Sequence, residues 1–402
     1  MAEKKLLFVY PIGYCRKGEV RNFHVMFEHL LPLLKASKTK VILVVLNNLP
    51  GEIKEAKTYF STVGIDGDFE QIYFERQYPR GKFYYQIIQA FKNSRNLLKI
   101  IRQQQPNVVY GYNYIGTFYP ALAKLFVRFK LIFDLRGDRV AEIKEAGASE
   151  FKVFLKGLME KLLFAKTDLL FTVSDDFKAI PSHIKRVPKY NFYNPEIFNY
   201  LPQKASEKRG ELGLSGRFIW LYSGSDHHYQ MIDWMASFFA QFHYLYPESF
   251  WLINSSSSPT SFHQALAKAN VPESAYQIRK LNATELNDIQ MVADAAFLVR
   301  EDLLLNHCAF PTKFAEYLAS GVPVFISPHV HTLVPMVVNN QLGMVVDFHE
   351  PIERLTPKIH QFFYQNSGLK QRCATFALNN LTWLNRASHV HAVFNDLLNE
   401  ES

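Results

Sequence analysis

The sequence has 402 residues, 48% hydrophobic and 20% charged, with 45 Lys and Arg against 37 Asp and Glu for a net charge of +8. It is too long for one ordinary core, so two domains are expected, and its composition is that of a globular chain. Three widely separated cysteines, Cys15, Cys308 and Cys373, speak against a disulfide framework and for a reducing compartment.

The positive charge suits nucleic acid, an anionic membrane surface or an anionic small-molecule substrate. No helix-turn-helix, zinc-finger or RNA-binding aromatic motif occurs, so no nucleic-acid partner is expected. The N-terminus has too short an apolar core for a signal peptide and reads as a first strand. No run of about 18 apolar residues is present, so no membrane span is expected. The expected location is the cytoplasm, with peripheral contact on the inner face of the membrane. His227-His228, the pair His329 and His331, and the pair His389 and His391 lack partners at zinc-type spacing, and no metal is expected.

Residues 6–10 form a continuous apolar run, as a strand buried on both faces requires. A loop with Gly13 and Gly18 follows, then a helical pattern over 20–34 and a strand over 41–46. This is a βαβ opening without the G-x-G-x-x-G fingerprint, which disfavours NAD or FAD. The two glycines leave room for a ligand to approach the backbone, or they form an ordinary βα turn. An amphipathic helix is expected over 83–103, carrying Lys92, Arg95, Lys99 and Arg102. A strand over 108–112, a helix over 118–129 and a strand over 131–133 come next. That last strand exits into Asp134, Arg136 and Gly137, placed either at a ligand or in a solvated turn with local ion pairs. The helix over 151–166 combines Lys152, Lys156, Lys161 and Lys166 with Phe151, Phe154, Leu155 and Leu158. It suits an anionic membrane, or a surface helix with an apolar core face. Residues 168–174 are a strand.

The polar stretch 202–216 reads as an interdomain linker. The alternation then restarts: strands over 218–222, 249–253, 276–279, 295–300, 322–327 and 342–346, with helices over 231–245, 260–270 and 282–293 between them. Both halves alternate strand and helix. The fold class is therefore α/β, two Rossmann-like domains facing across a cleft.

The most informative stretch is 310–327. Pro311 and Thr312 suit a helix start, Phe314, Tyr317 and Leu318 make an apolar face, and Gly321 and Pro323 stop the helix. Lys313, Glu316 and Ser320 share the other face. A helix start with a Lys in its first turn suits an anion, and a carboxylate one turn later accepts hydrogen bonds from sugar hydroxyls. Phosphate beside ribose describes a nucleotide. Ser223-Gly224-Ser225 and Arg300 also fall at strand ends, where small residues and positive charge favour a diphosphate.

These residues resemble the GT-B fold, family 4-like retaining glycosyltransferases that depend on a nucleotide-sugar. The strongest part is 310–324. It is supported by 221–225, 293–300, 133–137, 168–174 with 193–195, and Trp383 in a C-terminal tail. The resemblance implies an N-terminal acceptor-binding domain over 1–200, a nucleotide-sugar-binding domain over 201–375, and a helical tail over 376–402 crossing back to the first domain. It implies a metal-independent, hexosyltransferase-like transfer with retention, from a UDP- or GDP-linked sugar to a hydroxyl of a glycan or glycolipid acceptor, in envelope polysaccharide or glycolipid synthesis. No cofactor beyond the substrate nucleotide-sugar is implied. Glu316 would hold the ribose, Thr312 and Lys313 the diphosphate, and 279–281 the base. The expected catalytic residues are Arg300, Lys313 and Glu316. The expected donor contacts are Gly13, Ser223, Gly224, Ser225, Arg279, Leu281, Pro311 and Thr312. Asn113, Asp134 and Arg136 are expected on the acceptor side.

Three positions depart from the family pattern. Cys308 stands where a donor-sugar carboxylate often lies, Asp226-His227-His228-Tyr229-Gln230 replaces a basic phosphate pair, and Tyr112-Asn113-Tyr114 lacks a His. A catalytically degenerate protein that binds nucleotide or glycan, and a sugar-nucleotide epimerase, are the alternative readings.

Overall fold

The computed structural model describes residues 3–11, 19–48, 50–62, 64–76, 83–174, 176–177, 180–281 and 283–400. The chain divides into two compact units, Met1–Tyr190 with Trp383–Ser402, and Asn191–Thr382.

The first unit is built on β1 (Lys4–Tyr10), β2 (Thr39–Asn48), β3 (Glu70–Glu75), β4 (Val108–Tyr112), β5 (Lys130–Leu135), β6 (Leu169–Thr172) and β7 (Lys185–Pro188). They form one parallel sheet in the order β3-β2-β1-β4-β5-β6-β7. The apolar run 6–10 is buried throughout, as a strand covered by helices on both faces must be. The order reverses between β1 and β4, which opens a crevice at their carboxyl ends. The helix Asn113–Ala123 starts directly after β4, five residues before the expected 118. Asn113 takes φ 58, and two glycines admit the close packing. A Cβ on Gly111 would lie 2.5 Å from Thr117 Oγ1, and one on Gly116 would lie 2.6 Å from the Val9 carbonyl oxygen. The helix Trp383–Asn399 completes this unit. Phe394 packs edge-on against Phe8, Tyr110 and Phe171.

The second unit is built on β8 (Phe218–Ser223), β9 (Ser249–Asn254), β10 (Tyr276–Arg279), β11 (Ala295–Leu298), β12 (Val324–Ile326) and β13 (Gly343–Val345). Its parallel order is β10-β9-β8-β11-β12-β13, with the reversal between β8 and β11. Its core is aromatic: Trp220 stacks on Phe297 at 4.3 Å and meets Phe238 and Phe242 edge-on. The stretch read as a linker, 202–216, is instead mostly the helix Pro202–Glu211, which belongs to this unit. Ala205 is buried, and the Arg209 guanidinium reaches the Val292 carbonyl and the Asp294 carboxylate.

Candidate active site

The site in the second unit lies at the sheet's reversal. Ser223 ends β8 and Arg300 stands two residues beyond β11, on either side of that point. The helix Thr312–Ala319 begins beside them. Pro311 is its N-cap residue with extended backbone, and its side chain makes no capping hydrogen bond. The start of this helix therefore keeps N–H donors for an anion. Gly321 ends it at φ +74, where a Cβ would strike the Tyr200 ring at 2.5 Å, so two constraints select glycine.

Lys313 and Glu316 leave this helix on one side, each with part of its surface open. The Lys313 ammonium donates to Gln230 Oε1 at 3.2 Å and lies 4.5 Å over the Tyr222 ring. A Cβ on Gly224 would come within 2.7 Å of that ammonium and 2.9 Å of the Tyr222 hydroxyl, so the glycine leaves room for Lys313 to lie across the loop. Burial, with Arg300 close by, pushes the Lys313 ammonium well below its ordinary range, and Glu316 opposes this. Burial raises the Glu316 carboxyl to about 7, with Lys313 pulling the other way. The two groups thus share a recess that disfavours either charge until a ligand compensates it.

Arg300 is buried, and burial lowers its guanidinium below the usual value. The guanidinium lies 5.1 Å over the Tyr229 ring and reaches Asn306 Oδ1 at 3.4 Å. Its Nε and the Ser223 hydroxyl are buried without a hydrogen-bond partner among the described residues. Two unsatisfied polar groups at one sheet crevice are what a polar ligand would complete. Arg279 ends β10, and the Leu281 N–H donates to Asn254 Oδ1 at 3.0 Å, so both stand at the carboxyl edge of the neighbouring strands. Ser225 accepts a hydrogen bond from the Tyr222 hydroxyl at its carbonyl, 2.6 Å away.

The structure therefore gathers Ser223, Gly224, Ser225, Arg300, Pro311, Thr312, Lys313 and Glu316 at one end of one sheet, with Arg279 and Leu281 further along that edge. Gly13 lies outside the described residues. Ser320, expected beside Lys313, is fully buried instead, its hydroxyl within 3.0 Å of Asn287 Oδ1 and Gln290 Oε1. Cys308 is buried, its thiol directed back to the Leu304 carbonyl at 3.5 Å. Sequence reasoning missed Gln230, Tyr222, Tyr229 and Tyr317. Gln230 precedes Met231, whose left-handed backbone at φ 55 starts the next helix. The sequence marked its stretch, 226–230, only as a departure from a basic phosphate pair.

No protein-family model matches the chain, and no curated protein matches its sequence. Solved structures do match in fold. Sucrose-phosphate synthase from Thermosynechococcus elongatus is 14% identical with a TM-score of 0.70, over 98% of this chain and 99% of that one. Anabaena HepE, solved in complex with UDP, is 12% identical with a TM-score of 0.69, over 98% and 100%. The chain has the GT-B fold. A UDP-N-acetylglucosamine 2-epimerase from Listeria monocytogenes, described as putative, also matches at 12% identity and a TM-score of 0.53, over 100% and 98%. The GT-B fold thus fits more than one chemistry, and the reaction must be argued from the site.

In the first GT-B unit the expected acceptor-side residues separate. Asn113 stays partly open at the start of its helix, where its Oδ1 accepts from the Tyr114 N–H. Asp134 is fully buried. Its carboxylate takes the Lys189 ammonium at 2.5 Å, the Tyr110 hydroxyl, and Arg136 at 3.4 Å. Burial opposes ionisation, but Lys189 and Arg136 hold this carboxyl below its ordinary value. Burial lowers Lys189 to about 8. The exit of β5 is therefore a buried ion network, neither a solvated turn nor an open contact, and Asp134 has no surface to offer an acceptor. The apolar stripe of the helix Glu150–Lys166 is divided between core and surface. Leu163 and Phe164 face the core, while Phe151 is 68% and Phe154 61% exposed. Among the described residues no helix is long and apolar enough to cross a membrane.

Proposed function

We propose that this protein is a glycosyltransferase that moves a sugar from a UDP- or GDP-linked donor to an acceptor hydroxyl, with retention and without a catalytic metal. The observation that carries the reading is the uncapped start of the helix Thr312–Ala319 with Lys313 folded across Gly224 beside Arg300. A diphosphate there would restore the charge that burial suppresses on Lys313, and would meet helix N–H groups and two cations. Glu316, one turn along, would accept from the ribose hydroxyls. The UDP complex of HepE supports a uridine nucleotide as the first candidate.

In this reading the bond from the sugar's anomeric carbon to the diphosphate oxygen breaks, and the acceptor oxygen bonds that carbon on the same face. The leaving phosphate takes the acceptor proton, which requires no general-base His. Arg300 and Lys313 stabilise negative charge as it builds on the leaving group. Transfer assays with UDP-, GDP- and ADP-sugars test the reading, alongside UDP and GDP affinity of Lys313→Ala. Loss of nucleotide binding in the variant supports it. The absence of binding by any nucleotide at millimolar concentration sinks it. Isomerised donor formed without acceptor would instead establish the epimerase, a reading favoured by the Listeria match. Nucleotide binding without turnover on any acceptor would establish a binding protein.

The acceptor would be an envelope polysaccharide or glycolipid, met at the inner face of the membrane. Exposed Phe151, Phe154, Leu155 and Leu158 beside exposed Lys152 and Lys161 support this. Co-sedimentation with anionic vesicles that is lost in Phe151→Ser/Phe154→Ser is the expected result. Identical pelleting of both proteins would remove this helix from the proposal.

A further inference from the structure

Asp302, His307 and His329 converge past the carboxyl ends of β11 and β12. Asp302 Oδ1 lies 2.5 Å from His307 Nε2 and 3.5 Å from His329 Nδ1. One donor atom of each falls within 4.8 Å of the other two. The expectation of no metal rested on spacing along the chain, whereas these three side chains meet only through the fold. β11 pairs with β12 in the register Leu298↔Ile326, which sets their exits side by side. Asp302 and His307 follow one strand and His329 follows the other.

Packing orients both rings. His329 lies nearly parallel to Phe348, 4° apart at 5.6 Å, and His307 stacks on His331 at 4.3 Å. The two imidazoles are mostly covered, at 19% and 24% exposure, whereas Asp302 is 66% exposed and leaves an entry path.

We propose that Asp302, His307 and His329 bind a divalent first-row transition metal, zinc being the ion this donor set suits. Two imidazoles with one carboxylate form a borderline site that suits zinc, whereas magnesium and calcium take mainly oxygen ligands. Three protein donors leave the fourth tetrahedral position to water. The bound ion ties the segment after β11 to the exit of β12. That segment runs from Arg300 to Pro311, the two flanks of the candidate donor site, so the ion acts by holding the segment and takes no part in the transfer.

The test uses the full chain, stripped with a chelator and titrated with Zn2+ by calorimetry in the absence of nucleotide. Its failure is thus separable from failure of the donor reading. The expected result is one Zn2+ per chain, with His307→Gln/His329→Gln binding about tenfold or more weakly. His263→Gln, a histidine outside the cluster, leaves binding unchanged. Co2+ in place of Zn2+ gives the visible absorption of a tetrahedral site. Circular dichroism separates ligand loss from unfolding. If the double variant fails to fold, Asp302→Asn on the exposed residue gives the same readout. Equal zinc affinity in wild type and variants, no visible Co2+ band, or displacement of Zn2+ by equimolar Mg2+ would each overturn the proposal.

Discussion

Tyr317 and Ser223 are joined twice. The Ser223 N–H donates to the Tyr317 hydroxyl at 2.7 Å, and that hydroxyl donates to the Ser223 carbonyl at 3.3 Å. The helix Thr312–Ala319 is thereby fastened to the end of β8, and the loop 223–225 is held against it. Both residues are buried, so water does not replace the lost bonds. Tyr317→Phe is expected to destabilise the chain by about 1–3 kcal/mol and to loosen that loop. Urea unfolding measures the first effect and UDP or GDP affinity the second. Unchanged values for both would mean that the clamp is dispensable.

Gly224→Ala tests whether Lys313 serves the phosphates. The added methyl meets the Lys313 ammonium, the far end of a flexible side chain, and the Tyr222 hydroxyl at 2.9 Å. The chain should still fold, with a melting temperature lowered by the shift forced on the buried Tyr222 ring, while Lys313 is displaced. Nucleotide diphosphate affinity should fall by about tenfold, the equivalent of about 1.4 kcal/mol. Wild-type affinity in this variant would detach Lys313 from the phosphates.

The Glu316 carboxyl gives a pH signature of definite sign. Burial raises it from 4.5 to about 7 in the folded chain. Below the lower value both states are protonated and the stabilisation is fully present. As pH rises through the window from 4.5 to about 7, the unfolded state ionises first and stability falls. The loss is about 3 kcal/mol as an upper figure, because Glu316 keeps part of its surface open. Glu316→Gln should flatten that segment of the stability–pH curve. Parallel curves for wild type and variant would refute the assignment.

The ion network at β5 predicts a coupled pair. Lys189→Met leaves the Asp134 carboxylate buried with only Arg136 as a cation, and should cost about 3–5 kcal/mol. Asp134→Asn combined with Lys189→Met should cost less than Lys189→Met alone, because the stranded charge is gone. Chemical denaturation of Lys189→Met, Asp134→Asn and the double variant decides this. A double-variant loss equal to the sum of the single losses would mean that the two residues act independently.

The buried strands and the helix Thr312–Ala319 were legible because each carries its own signal. Apolar runs such as 6–10 and 218–222 need no partner to be recognised, and Pro311 and Gly321 punctuate the helix. β7 was not legible. Lys185–Pro188 is short and polar and ends in proline, so its strand character comes from pairing with β6. The helix Pro202–Glu211 hid for a related reason, since one buried alanine and one arginine anchor an otherwise charged segment. The ion network lay out of reach because Asp134 and Lys189 are 55 residues apart and meet only through the sheet. In the candidate site, residue types at strand ends could be read, but not which of them face a ligand. Ser320 shares a helical face with Lys313 and Glu316, yet packing against Asn287 and Gln290 removes it.

The helix Trp383–Asn399 has a consequence for synthesis. Phe394 fills the middle of the first unit's core, against residues of β1, β4 and β6, but is translated after the whole of the second unit. On the ribosome the first sheet must wait with that surface uncovered while 191–382 is made. The second unit, continuous in the chain, closes its own core earlier. The usual order of a two-unit chain, first made and first finished, is thereby inverted.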